Sequence, residues 1–424
     1  MTVTWYRGTT QLYTNTYTVD SSTFFADANV TAYNKIVVTF TNMTRASRFL
    51  KIYSISDGTT REFYNEEILD VDIIESNDIT CSELPISEAT ITLMPISTIG
   101  VIFQRTLPMT IYRKKNGAYQ LFGKYYISSY STDNKKLKYK IVLSDVLSLL
   151  ENQTYLGGII NAKPSVVLGE LLSGYEFTYS GNDSQNLNGY LPIMNKREAL
   201  RQICQAIGCL VIASETDKIK IVPRTKFYIG TLRKKNVYSY SVTQDSITTD
   251  MEYKYSYLTT TNSNTQVLFS DTISGTTTIY FSSPVYNLSI TGGTIVESNI
   301  NYATITGSGA VSLSGKVYEK AERVYTKSNP YAISTDLKKT LTINSTLWYS
   351  YSTYDSLSMI PFINEKVNFK TNYYYYSTDA YIMQERGYTY SDLNLGTSAT
   401  LHPKNISFSL KQPSLIVNVD FDEI

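Results

Sequence analysis

The chain has 424 residues, 42% hydrophobic and 18% charged, and its 38 Lys and Arg nearly balance 37 Asp and Glu, for a net charge of +1. At roughly 100–200 residues per domain that length suggests about two to four domains, the apolar content excludes a disordered chain, and the charge balance offers no case for polyanion binding. The 38 tyrosines, with abundant Thr and Ser, suit pleated and half-solvated surfaces and mark a β-dominated protein.

The first residues, Met1 to Arg7, lack the charged region and apolar core of a secretion signal. No apolar run approaches the ~20 residues needed to span a bilayer, so a soluble cytoplasmic product without membrane insertion is expected.

Residues 1–34 are polar and aromatic, with Tyr13, Tyr17, Phe24 and Phe25, and read as short strands or an ordered arm. Strands are then expected at Ile36–Phe40, Phe49–Tyr53 (ending in the Asp57-Gly58 turn), Glu67–Ile74 and Ala89–Leu93. Met109–Arg113 and Tyr119–Phe122 flank Asn116-Gly117, a strong hairpin signal, and Leu137–Leu143 closes the series. Many short strands joined by tight turns describe a barrel or sandwich.

At Ser144-Asp145 the period changes. Val146, Leu147, Leu149 and Leu150 predict a short helix with Ser144 as its cap, broken by Gly157-Gly158. Pro164 opens a second helix, Ser165 to Leu172, which Gly174 ends. Gly189 and Pro192 punctuate a turn, after which Asn195 caps a third helix with Glu198 in capping-box position. Its apolar face is Ala199, Leu200, Ile203, Ile207 and Leu210; Lys218–Pro223 then alternates as a half-buried edge strand would. Strands resume near Tyr238. Residues 259–316 are rich in Thr, Ser and Gly, but their alternating β-branched and aromatic residues predict a compact β lobe rather than a linker. Asn329-Pro330 opens a segment where Ile333, Leu337, Leu341 and Trp348 recur at helical spacing and predict a helix. The tail returns to strands at Glu365–Phe369, Tyr373–Tyr376, Ala380–Met383 and Ser414–Phe421.

The chemistry-bearing residues are sparse. His402 is the single histidine and lies in a turn-like Leu401-His402-Pro403, so it reads as a surface residue, and no serine sits in a nucleophile elbow. Cys81, Cys204 and Cys209 are too few for a zinc site and read as buried free thiols, the last two on the third helix. Paired carboxylates that could serve a glycosidase or hold a cation are Glu66/Glu67, Asp70/Asp72 and Asp420, Asp422 and Glu423, but solvated strand edges look the same. Tyr373–Tyr376 could stack a sugar or a base; without interleaved basic residues a protein interface or sheet surface fits better. No phosphate-binding glycine loop follows a strand. No catalytic, cofactor or metal residue is assigned, and no enzyme activity is expected.

Taken in order, the motifs resemble the baseplate hub or tail-tip hub of phage tails and related injection particles, in the form found with Gram-positive hosts. Tyr64–Ile74 resembles its strand after the first turn, and Leu121-Phe122-Gly123-Lys124-Tyr125-Tyr126-Ile127 a later one. Ser144–Leu150 with Tyr155-Leu156-Gly157-Gly158 resembles its short helix and turn, and Gly189-Tyr190-Leu191-Pro192 with Arg197–Ile203 its central helix. Asn329-Pro330 and Asp392–Ala399 resemble signatures of its last domain. The resemblance runs from about Lys35 to Pro403.

The resemblance implies a mainly β fold with a smaller α/β part: two tube-like β-barrel domains plus an α/β insert and a β-rich lobe. On that scheme residues 1–145 are the arm and first barrel, 146–228 the insert, 229–258 plus 317–424 the second barrel, and 259–316 the lobe. It further implies a homotrimeric ring that caps the tail tube and links it to distal proteins. The expected partners are further copies of the chain, the tail tube or distal tail protein, the tape measure protein, and a spike or tail fibre. DNA would pass without specific binding. The expected location is the tip of a virion tail or injection particle, assembled in the bacterial host cytoplasm. The rival reading is a carbohydrate-binding or glycan-processing β protein; a cell-surface adhesin is disfavoured by the missing secretion signal and anchor.

Overall fold

The computed structural model describes residues 1–18, 30, 32–41, 62–79, 81–94, 103, 107–115, 118–133, 135, 137–213, 218–224, 228–232, 237–244, 247–262, 264–358, 365–373, 386–392, 397–411 and 414–423. The expected Phe49–Tyr53 and Ala380–Met383 strands, the Asp57-Gly58 and Asn116-Gly117 turns, Phe24, Phe25 and Tyr374–Tyr376 lie outside them. The chain divides into two compact units, one of residues 1–64 and 96–102, the other of 65–95 and 103–424.

In the first unit β1 (Thr2–Arg7) pairs antiparallel with β2 (Thr10–Thr16) and with β3 (Lys35–Thr39). Val3 and Trp5 alternate inward from β1, and Trp5 packs its ring 5.8 Å from Tyr13. Gly8, at φ +62°, makes the tight turn between β1 and β2, where its N–H donates to Asn34 Oδ1 at 2.8 Å.

The second unit begins with β4 (Ile68–Ser76), β5 (Glu88–Leu93), β6 (Pro108–Lys115), β7 (Ala118–Thr132) and β8 (Tyr139–Ser144), in the spatial order β4-β5-β8-β7-β6. β6 and β7 pair antiparallel with Lys115 opposite Ala118. Val71 and Ile73 on β4, Ile91 on β5 and Ile141 and Leu143 on β8 alternate into the core.

Here the backbone turns helical. α1 (Leu147–Glu151), β9 (Thr154–Tyr155), β10 (Gly158–Ala162), α2 (Pro164–Leu171), β11 (Phe177–Tyr179), β12 (Leu187–Leu191), β13 (Met194–Asn195), α3 (Lys196–Ile207), β14 (Cys209–Ile212) and β15 (Ile219–Pro223) follow. Ser144 ends β8 and does not cap α1; Asp145 Oδ1 instead accepts from Leu147 N at 2.9 Å. Asn195 caps α3 as expected, its Oδ1 accepting from Glu198 N at 2.7 Å, while Glu198 turns its carboxylate to Arg201 at 2.6 Å and completes no box. Gly208, at φ +71°, ends α3 in the left-handed conformation. The face of α3 carrying Ala199, Leu200, Ile203, Cys204 and Ile207 packs on Leu147, Leu150, Leu168, Leu171 and Ile221. Each large aliphatic side chain buried there contributes roughly 1.5–3 kcal/mol. Cys209 lies on β14 rather than on the helix, and β15 is the central strand between β11 and β14 rather than an edge.

Then come β16 (Tyr228–Leu232), β17 (Val237–Gln244), β18 (Asp250–Thr259), β19 (Thr265–Tyr280), β20 (Val285–Ser298), β21 (Tyr302–Val317) and β22 (Glu319–Ser328). β18 and β22 pair throughout, with Thr259 opposite Glu319, so the chain leaves and returns at one point to build the lobe. The lobe is a three-stranded sheet, β19-β21-β20, folded over its own core of Ile273, Ala303, Ile305, Val311 and Leu313. The helix expected after Asn329-Pro330 does not form. Instead β23 (Thr340–Ser345) runs parallel to β18, β24 (Leu347–Trp348) pairs β12, and only then does α4 (Tyr351–Ser358) begin, with Ser350 Oγ accepting from Thr353 N at 3.1 Å. Thr340-Leu341-Thr342-Ile343 alternates with the strand period, which outweighs the sparse helical spacing around it.

The tail supplies β25 (Glu365–Tyr373), β26 (Arg386–Asp392), β27 (Thr397–Lys411) and β28 (Ser414–Glu423). These join β16 and β17 and meet the first set of strands where β27 pairs β4, making one eleven-stranded sheet. The fold is mainly β, as expected. Two separate tube-like barrels are not drawn by the described strands: no sheet closes on itself, because hydrogen bonding continues from one set into the other.

Candidate functional site

The glycine motifs singled out in the sequence converge on one junction. Gly157 has φ +66°, and a Cβ there would lie 2.1 Å from Leu191 O and 2.6 Å from Pro192 O. Gly189, at φ +136°, lets β12 approach β24 so closely that a Cβ would meet Thr346 O at 2.0 Å. Both positions therefore need glycine for close backbone approach as well as for dihedral freedom. Tyr190 N donates to Thr346 O at 3.1 Å, and the Thr346 hydroxyl donates to Tyr190 O at 2.5 Å.

The lobe is tied into the same junction. Asn301, 4% exposed, donates from Nδ2 to Leu156 O and to Leu191 O, both at 2.9 Å, and Asn299 Nδ2 donates to Gly157 O at 3.1 Å. The turn is held by its own bonds, Asn299 Oδ1 accepting from Asn301 N at 2.7 Å. One carboxamide thus serves two backbone carbonyls, the bond to Leu191 O buried and that to Leu156 O part-buried. Asn299 and Asn301 were not singled out from sequence; the signal is the Asn-x-Asn at the end of one alternating run and the start of the next.

At the start of α1, Asp145 is 1% exposed and accepts from Ser87 N at 2.8 Å and Leu147 N at 2.9 Å. Burial pushes its carboxyl up to about 7, with the two backbone donors pulling the other way. It fastens the start of α1 to the strand that follows Ser87.

The other candidate residues do not assemble into a reaction centre. Asp70 and Asp72 lie on the face of β4 opposite Val71 and Ile73, and Asp72 Oδ1 accepts from the Ser409 hydroxyl at 2.8 Å. Glu66 is exposed and Glu67 buried. Asp420, Asp422 and Glu423 lie on β28. His402 is not a surface residue: it is 1% exposed, within a β27 that pairs β28 opposite His402 and carries β26 (up to Leu401) and β4 (from Asn405) along its other side. Pro403 is tolerated there beside a register shift between Pro403 and Asn405. Glu75, which the sequence reading passed over, is also buried, and Tyr125 points its hydroxyl at Glu75 Oε1, 3.4 Å away. Its parity with Val71 and Ile73 on β4 is the signal for it.

Cys81, Cys204 and Cys209 are all free and buried. Desolvation pushes all three thiols up, Cys209 to about 12, so they are inert at neutral pH. Among the described residues no cluster of three His, Cys, Asp or Glu could hold a metal ion, and no helix is long and apolar enough to cross a membrane. A cleft of about 240 Å³ is lined by Lys124, Tyr126, Tyr175, Glu176 and Lys218, with Lys218 paired to Glu176 at 3.1 Å; it contains no nucleophile with a base.

Exposed aromatic surface gathers on β6 and β7, where Tyr112, Tyr119 and Tyr130 are each more than half exposed. β6 is also one end of the eleven-stranded sheet, as the described strands draw it. An edge with aromatic neighbours suits association with another chain.

No protein-family model and no curated protein sequence matches the chain. Solved structures do. The 43 kDa tail protein of prophage MuSo2 from Shewanella oneidensis superposes with a TM-score of 0.50 at 9% identity, covering 84% of this chain and 94% of that one. A tail protein from Neisseria meningitidis MC58 (TM-score 0.49, 9% identity, 84% and 92% covered) and prophage tail protein gp18 from Listeria monocytogenes EGD-e (0.45, 9%, 82% and 87%) were also matched. The fold likeness rests on the first of these. Along most of its length, the chain is similar in fold to a prophage tail protein.

Proposed function

We propose that this chain is a structural hub at the tip of a phage-type tail or injection particle, acting by assembly rather than turnover. The observation that carries the proposal is the fold likeness to the MuSo2 tail protein, which takes in 84% of this chain and 94% of that one. The function is carried over from that fold by analogy.

The arrangement of the large sheet supports the same reading. One set of strands, β4 to β8, lies beside a second set built from β16, β17 and β25 to β28, and the two join edge to edge through Asn405–Ser409 against Asp72–Ser76. In this proposal each set is one tube-like half. Three copies present six such halves, so a closed threefold ring matches a sixfold tube on one side and a threefold spike or fibre on the other. Closure brings the β6 edge of one copy to the β17 edge of the next. The junction around Gly157, Gly189 and Asn301 ties the lobe to the α/β part by hydrogen bonds, as a load-bearing adaptor requires. Partners on this reading are further copies of the chain, the tail tube or distal tail protein, the tape measure protein and a spike or fibre.

Tails carrying an epitope-tagged copy of the chain, labelled and viewed by electron microscopy, should show label only at the distal end of the tube. Label along the shaft, or none on purified tails, would exclude the hub assignment.

A further inference from the structure

A small cavity of about 20 Å³ lies where Arg224 and Gln205 line one wall with Tyr253, Trp348, Ser350 and Tyr354. Arg224 is only 3% exposed. Its Nε donates to Cys209 O at 3.2 Å, but its Nη2 is buried and makes no hydrogen bond. Among the described residues no carboxylate pairs with it. The Cys81 thiol lies against the guanidinium, but burial pushes that thiol up, so it brings no negative charge at neutral pH. Gln205 accepts from Arg201 Nη1 at 3.3 Å through Oε1, which leaves its Nε2 as a donor. Ser350 caps α4, so the positive end of that helix forms part of the same wall. The C-terminal carbonyls of α3 on the other side, those of Cys204 and Gln205, are already taken by Gly208 N.

A buried guanidinium with no counter-charge is among the costliest features a fold can carry. A water in the cavity would complete the hydrogen bonding of Nη2 and leave the charge uncompensated; an anion does both. The volume corresponds to one water-sized body, which suits a compact anion better than sulfate or phosphate. We propose that this cavity binds a single compact anion of chloride size, held by Arg224 Nη2, the Gln205 amide and the first turn of α4. The anion would lock β15, α3 and α4 together beneath the aromatic cluster of Trp348, Tyr253 and Tyr354.

The test is diffraction from crystals grown with bromide in place of chloride, together with melting curves in chloride and in gluconate at equal ionic strength. An anomalous bromide peak beside Arg224 Nη2 is expected. The melting temperature should rise by roughly 1–3 °C for each tenfold increase in chloride above its dissociation constant, and this rise should vanish in Arg224→Met. A cavity without anomalous signal overturns the proposal, as does an equal chloride response in Arg224→Met. If that variant does not fold, the bromide map of the native protein decides alone.

Discussion

Asn301→Ala removes the carboxamide that bonds both Leu156 O and Leu191 O at 2.9 Å. Each lost hydrogen bond is worth about 0.5–1.5 kcal/mol net, and a carbonyl left buried without a partner, as at Leu191, costs about 1–3 kcal/mol more. Water can reach part of the space that the side chain vacates, so the expected loss is about 2–4 kcal/mol rather than the full sum. The chain has two tryptophans, and Trp348 follows the Thr346–Leu347 contact with β12, so its fluorescence in a Trp5→Phe background reports this junction. Urea unfolding should show a lower midpoint at an unchanged slope. Thr278→Ala, which removes an exposed hydroxyl pair with Thr304, serves as the control and should cost less than about 0.5 kcal/mol. If Asn301→Ala costs no more than that control, the junction is not held as described.

Gly157→Ala meets backbone oxygen at 2.1 Å as well as a positive φ and should prevent folding of the junction, whereas Gly174→Ala, at φ +90° with open space around it, should cost only about 1–2 kcal/mol in the same assay; equal effects would refute the close-approach argument. Asp145 is held protonated by burial, its carboxyl raised from 3.8 to about 7, so its contribution is fully present below the unfolded value and is lost as pH rises through about 7. The stability of the wild type relative to Asp145→Asn should therefore fall between pH 4 and 7, by up to about 1.4 kcal/mol per unit, and a flat or rising difference would contradict the burial. Cys81, Cys204 and Cys209 should resist maleimide in the native protein at pH 8 and all label after denaturation; rapid native labelling of any of them would contradict its placement.

Much of this architecture was legible from period and capping. Strands β3, β4, β5 and β8 follow runs of alternating apolar residues, and α3 starts at its expected Asn195 cap, but it stops at Gly208, so Leu210, expected on its apolar face, lies on β14. What escaped was whatever depends on partners distant in sequence. His402 looked like a turn residue because Pro403 follows it, yet it sits inside a long strand, β27, that β28, β26 and, from more than 300 residues earlier, β4 all join. β15 looked like an edge until β11 added beside it in parallel. The helix expected beyond Asn329 failed for a local reason, since four spaced apolar residues were weighed above the short alternation at Thr340–Ser345. At the junction the glycines were visible as turn formers, but their reason, oxygen atoms of Leu191 and Thr346 at about 2 Å from where a Cβ would stand, is a tertiary fact. The asparagines that close it show in sequence only as an Asn-x-Asn between two alternating runs, which says nothing of the carbonyls they reach.

The central claim is that the chain works as a ring of three at the tail tip. Native mass spectrometry of the hub released intact from purified tails, with copy number counted against the tube protein it carries, tests it most directly. Three copies of the chain per tail are expected; six copies, or a single copy, would contradict the account.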